Sequence, residues 1–206
     1  MSGERGGAVP RVAIVTGGAR GIGAAIAERL VADGLRVASL DILQPGRPRV
    51  GITDVPCDLG DPIAVAGAVN RVRDELGPAL VVVHCAAYQV IAPFEGLDPL
   101  EWQRTFRINV DGAFHLVQAT LPDLRAAGWG RIVMITSSSQ FTPPPQMTHY
   151  VASKGALTGM VRALATELGP LGITVNAVAP GLTATEHART DVPAAHFDAV
   201  RARQAI

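Results

Sequence analysis

Short runs of aliphatic and β-branched residues recur along the chain, each followed by a longer stretch of helical periodicity. The runs "RVAIVT" (11–16), "LRVASLD" (35–41), "ALVVVH" (79–84), "RIVMIT" (131–136) and "GITVNAVA" (172–179) predict strands, with a weaker one in "ITDVPC" (52–57). Residues 22–33, 62–76, about 98–127 and about 149–168 predict helices. Alternation of this kind implies right-handed crossovers and a parallel sheet, so the fold class is α/β. "ALVVVH" is apolar almost throughout, as a strand covered on both faces should be. No repeat, low-complexity linker or compositional seam divides the sequence. Residues 10–206 therefore read as one domain behind a small, polar, disordered tail over 1–9.

Ligands of an open parallel sheet sit beyond the carboxyl ends of its strands. That rule draws attention to 16–23, Asp41, Asp58, 84–87, 136–139 and 180–185. In "VAIVTGGARGIG" the glycines that matter are Gly17, Gly21 and Gly23, spaced four and then two. The spacing differs from G-x-G-x-x-G. Even so, the unpaired N–H groups opening the next helix, around Arg20, Gly21, Ile22 and Gly23, suit a pyrophosphate. Asp41 stands 18 residues after Gly23, close to the offset of about 20 at which an acidic residue takes the adenosine ribose. A carboxylate there repels a 2′-phosphate by about 1 kcal/mol in water, and by more where the dielectric is lower. Arg20 pulls the other way, because a guanidinium can pair with a 2′-phosphate. It can also swing into solvent, whereas Asp41 cannot be evaded. The expected cofactor is NAD rather than NADP.

"YVASK" puts Tyr150 and Lys154 on one face of a helix. A phenol with a pKa near ~10 is a poor base at neutral pH, and a neighbouring ammonium is expected to lower it.

Composition narrows the class. Eighteen basic residues balance 18 acidic ones, which argues against nucleic acid or an anionic membrane surface as a general partner. Charged residues make up 17% of the chain and hydrophobic ones 48%, as oligomer interfaces or a doubly covered sheet would require. Cys57 and Cys85 form neither a disulfide framework nor a metal set, so a reducing cytoplasm and no metal are expected. No stretch resembles a membrane span.

The turn at 16–23, Asp41, "RINVDGAF", "IVMITSSS", "YVASK" and "NAVAPGLTAT" occur in one order. Together they resemble the classical short-chain dehydrogenase/reductase family, whose turn reads T-G-x-x-x-G-x-G, over about residues 10–190. The resemblance implies a Rossmann-type doubly wound parallel sheet and a tetrad of Asn109, Ser137, Tyr150 and Lys154. Ser137 lies 13 residues before Tyr150, and its hydroxyl would bind the substrate oxygen. Tyr150 would move the proton, while Lys154 would also hold the nicotinamide ribose. Asn109 would sit at a helix kink that frees a carbonyl for a water-mediated relay. Pro180, Gly181, Thr183 and Thr185 would line the nicotinamide, Ala86 would sit beside the adenosine ribose, and Asp58 with Leu59 would meet the adenine. Asp58 reads equally as a helix cap before "DPIAVAG".

Two departures stand out. "HCAA" replaces the family's N-N-A-G, and His84 and Cys85 there are expected to alter stability rather than add chemistry. After "VRARQAI" the family would continue through another helix and a seventh strand, so the expectation is a truncated enzyme with an exposed edge on "GITVNAVA" and a short helix or lid over 191–206. The leading reading is an NAD-dependent oxidoreductase interconverting a secondary alcohol and a ketone. The alternatives are an NADPH-dependent 3-oxoacyl-thioester reductase and a non-catalytic nucleotide-binding regulatory protein. Gln89, Phe94, Phe141, Pro143, Gln146, His149, Leu182 and 186–200 would line a moderately hydrophobic substrate pocket. The apolar face of 98–127 and the small residues of 149–168 would pair across a two-fold axis, giving a homodimer or homotetramer.

Overall fold

The computed structural model describes residues 10–46, 48–191 and 194–202; the expected tail over 1–9 and the last residues of the chain lie outside them. Six strands form one wholly parallel sheet. In chain order these are β1 (Val12–Thr16), β2 (Arg36–Asp41), β3 (Ile52–Pro56), β4 (Ala79–His84), β5 (Gly130–Ile135) and β6 (Ile173–Val178). Each lies within a run picked out by its apolar pattern, or within one residue of it. Their spatial order is β3-β2-β1-β4-β5-β6. The chain builds outward from β1 to β3, crosses to β4 and builds outward the other way. That reversal leaves a crevice between the carboxyl ends of β1 and β4, where ligands of such sheets bind.

Helices α1 (Gly21–Ala32), α2 (Pro62–Leu76), α3 (Pro99–Phe106), α4 (Gly112–Ala127) and α5 (Thr148–Leu168) follow the strands. Both α2 and α3 open on an aspartate followed by proline. Asp61 accepts from the Ile63 N–H and Asp98 from the Leu100 N–H, while the proline at the first helical position has no N–H to satisfy. Beyond β6, two short helices, α6 (Glu186–Asp191) and α7 (Ala194–Arg201), occupy much of 186–206.

The core lies on both sheet faces. The larger part joins Ile14, Leu40, Val82 and Ile132 to Val65, Leu116 and Leu157 of α2, α4 and α5. The smaller joins Ala13, Val15 and Val37 to Ala27 of α1. β1, in the middle, is buried at all five positions. β6 pairs only with β5 among the described residues. Its Ile173 and Val175 are buried toward α5, whereas Thr174, Asn176 and Val178 on the alternate face are exposed.

The long helix expected over 98–127 is interrupted. Arg107–Asp111 form a π-helical turn between α3 and α4, and such wide turns free backbone groups from the regular ladder. Asn109 sits inside it, completely buried.

Candidate active site

The glycine turn closes onto its neighbours too tightly for any side chain. A Cβ on Gly17, whose φ is +65°, would lie 2.7 Å from the Ala86 Cα, and one on Gly23 would lie 2.2 Å from the Gly17 carbonyl oxygen. These contacts draw the end of β1, the start of α1 and the segment after β4 into one cradle. The N-terminus of α1 has no side-chain cap and no acidic residue in its first turn, so its N–H groups and dipole remain open to an anion. Arg20 is exposed, and Ile22 is half-buried.

Asp41 faces the same cradle. The Ala19 N–H donates to its Oδ2 at 3.0 Å and the Leu43 N–H to its Oδ1 at 2.9 Å. Each oxygen keeps a further lone pair for a ribose hydroxyl. The glycine turn thus fixes the carboxylate expected to read the ribose. Arg49, which sequence reasoning missed, braces the outside of the turn. Its guanidinium bonds the Gly18 carbonyl and the Asp54 carboxylate. No sequence pattern marks it, because it lies in the irregular loop before β3.

Asp58 is not the cap of α2. Its Oδ1 accepts from the Gly60 N–H at 2.9 Å in a local turn, and Asp61 caps the helix because Pro62 sets its start. Leu59 is buried, with its Cβ only 2.9 Å from where a Cβ on Gly112 would stand. Its side chain packs the core, which leaves only its backbone to face a ligand.

The four residues of the expected tetrad come from the π-turn, the end of β5 and α5. Asn109 has its carboxamide fully engaged. Its Oδ1 accepts from the Tyr88 N–H at 2.7 Å, and its Nδ2 donates to the Tyr88 carbonyl and to Ser153 Oγ, both at 3.0 Å. Ser153 in turn donates to the Tyr150 carbonyl at 2.7 Å. The side chain therefore pins the segment after β4 to α5. Lys154 is buried and donates to the Ile135 carbonyl at 2.8 Å, with its Nζ 5.5 Å from the centre of the Tyr150 ring. Burial lowers its pKa to about 8.

The Tyr150 phenol is raised above its ordinary pKa by burial, and a hydrogen bond with Ser137 pulls it back only in part. This departs from the expected lowering by the ammonium. Desolvation dominates here, and the Lys154 ammonium is turned to the Ile135 carbonyl. Ser137 Oγ also accepts from the Ser139 N–H at 3.1 Å, which fixes it at the head of the 3₁₀ turn Ser138–Gln140.

The segment 180–185 bridges the two halves of the site. The Pro180 carbonyl accepts from the Ser138 N–H at 3.0 Å, Gly181 lies beside Ser138 Oγ, and Thr185 reaches the glycine turn at Gly21. The Thr183 carbonyl accepts from the Thr185 N–H at 2.8 Å. Thr185 Oγ1 accepts from the Ala188 N–H at 3.2 Å, so this hydroxyl caps α6.

Of the expected substrate residues, Gln89, Phe94 and Gln146 are exposed, as are Phe141 and Pro143. Gln146 holds φ +63° and accepts from the Ala92 N–H through its carbonyl. His149 is completely buried. Its Nε2 accepts from the Val90 N–H at 3.4 Å, so it ties the 88–92 segment to α5 and lines no open pocket. Both cysteines are free thiols, pushed up to about 11, chiefly by burial. Among the described residues there is no cluster of ligands for a metal and no helix long and apolar enough to cross a membrane.

The sequence profile described as short chain dehydrogenase matches residues 11–195. The chain belongs to the short-chain dehydrogenase family. As such it is an NAD(P)-dependent oxidoreductase acting on small molecules. This short-chain dehydrogenase is 28% identical over 194 residues to the D-beta-hydroxybutyrate dehydrogenase of Rhizobium meliloti, covering 89% of this chain and 75% of that one. It is 36% identical over 181 residues to the 3-oxoacyl-[acyl-carrier-protein] reductase MabA of Mycobacterium tuberculosis, covering 88% and 72%. The ligand-free aldohexose dehydrogenase structure of Thermoplasma acidophilum superposes with a TM-score of 0.84 at 28% identity, covering 92% of this chain and 76% of that one.

Proposed function

We propose that this enzyme interconverts a secondary alcohol and a ketone, with NAD as the hydride carrier. The observation that carries the reading is the Ser137–Tyr150 hydroxyl pair beside buried Lys154, set at the carboxyl ends of the strands next to the glycine cradle. Two hydroxyls there can hold one substrate oxygen while Tyr150 passes its proton. A nicotinamide bound beside them would supply hydride transfer. The cradle of Gly17 and Gly23 and the open N–H groups of α1 fit its pyrophosphate, Ala86 and Asp41 the adenosine ribose, and Pro180, Gly181, Thr183 and Thr185 its far end. Asp58 and the Leu59 backbone would meet the adenine. Asp41, already oriented by two N–H groups, favours NAD over NADP and speaks against the NADPH-dependent thioester reductase.

Ketone reduction needs a protonated phenol, and burial holds Tyr150 in that form at neutral pH. Alcohol oxidation needs the phenolate and should accelerate toward alkaline pH. Phe94, Phe141 and Ile91, each about 70% exposed, would rim the site and favour a substrate with an apolar portion. A homodimer or homotetramer accompanies this reading. Leu100, Trp102 and Phe106 line a groove of about 590 Å³ on the outer face of α3, and Gly155 and Gly159 open a flat face on α5. Turnover of a panel of secondary alcohols with NAD and with NADP tests the proposal, which predicts NAD-linked oxidation of at least one alcohol. No turnover with either cofactor, or turnover with NADP alone, contradicts it.

A further inference from the structure

His84 ends β4 directly beneath the site, 1% exposed, and bonds at both ring nitrogens. On one side stands Thr16 of the glycine turn, with its Oγ1 3.2 Å from His84 Nδ1. On the other is the carbonyl of Asn109, which lies in the π-turn, 3.1 Å from Nε2. The proton positions follow by elimination. Thr16 Oγ1 accepts from the Cys85 N–H at 3.0 Å and the Ala86 N–H at 3.2 Å, which fills its two lone pairs. Its single proton must then point at His84 Nδ1. With Nδ1 an acceptor, a neutral ring carries its proton on Nε2 and donates it to Asn109 O. The ring is therefore held in one tautomer by partners on both sides.

We infer that His84 is a positioning residue that ties the nucleotide-binding turn to the π-turn carrying Asn109, in the neutral Nε2–H form. It moves no proton itself. It takes one lone pair of the Asn109 carbonyl in the π-turn, so Asn109 and, through Ser153, the backbone of Tyr150 are set relative to the end of β1. This rests on the proposed dehydrogenase reading for its kinetic consequence, though not for its geometry.

Two substitutions separate the two links. His84→Asn leaves an acceptor near the Nδ1 position for Thr16 but cannot reach Asn109 O. His84→Gln places an N–H near the Nε2 position and leaves Thr16 without its acceptor. The first should keep NADH affinity and lower kcat about tenfold, the scale of one lost hydrogen bond. The second should weaken NADH binding by about the same factor and keep kcat. Loss of stability alone would move both parameters together in both variants. Parallel changes, or no change in either, would overturn the inference. Nitrogen NMR of the unsubstituted chain reads the tautomer directly: the neutral Nε2–H form supports the link, and an Nδ1–H or rapidly averaging ring overturns it. Where no alcohol is turned over, the dehydrogenase reading fails, while the tautomer and NADH affinity still decide the role of His84.

Discussion

Lowering the pH from 7 to 5 should reveal what keeping His84 neutral costs the fold. Its pKa is pushed down from 6.5 to about 3, chiefly by burial and then by the charge of Lys154, against a smaller upward pull from the Asn109 bond. In the unfolded chain the imidazole takes up its proton near pH 6.5. In the folded chain it does not until near pH 3. The unfolded state therefore binds more protons between those values, and stability falls as the pH falls through that window. Each pH unit is worth at most about 1.4 kcal/mol, so about 2 kcal/mol should be lost between pH 7 and 5. That is a large share of a total of about 5–15 kcal/mol. Lys154, at about 8, is charged in both states across this range and adds no slope. The two thiols, near 11, add none either. Urea unfolding at the two pH values, in the unsubstituted chain and in His84→Gln, isolates the effect. The substituted chain should lose about 2 kcal/mol less. Equal losses would show that His84 is not a buried neutral group.

Replacing Asp41 with alanine should narrow the preference for NADH over NADPH in paired titrations, and equal affinities before substitution would contradict the assignment. Gly23→Ala drives a Cβ to within 2.2 Å of the Gly17 carbonyl; thermal unfolding and NADH titration should both show a loss, and an unchanged variant would refute the cradle. Sedimentation at micromolar concentration should give a dimer or larger species, against which a clean monomer would count.

Much of this arrangement can be read from the residues themselves. The strands announce themselves because a sheet buried on both faces demands unbroken apolar runs, and β1 is the extreme case. Asp41 and the glycine turn are close in sequence and sit at fixed offsets, so spacing reveals them. Tyr150 and Lys154 share a helix face for the same reason. Contacts made across the fold leave no such trace. Arg49 reaches Gly18 from a loop, and His84 meets Asn109 only because β4 ends against the π-turn. His149 looks like a pocket residue from its place beside Tyr150, yet the helix turns it into the core. The raised phenol of Tyr150 is likewise a matter of burial, which spacing cannot report.

In the proposed mechanism Tyr150 transfers the proton while the surrounding residues hold the nucleotide. Tyr150→Phe removes only the phenolic oxygen, so NADH affinity and turnover of the best alcohol should be measured together on that variant. Binding should be unchanged and turnover should fall by roughly 10²–10⁴, as for a positioned acid/base. Near-normal turnover in Tyr150→Phe would contradict proton transfer by Tyr150.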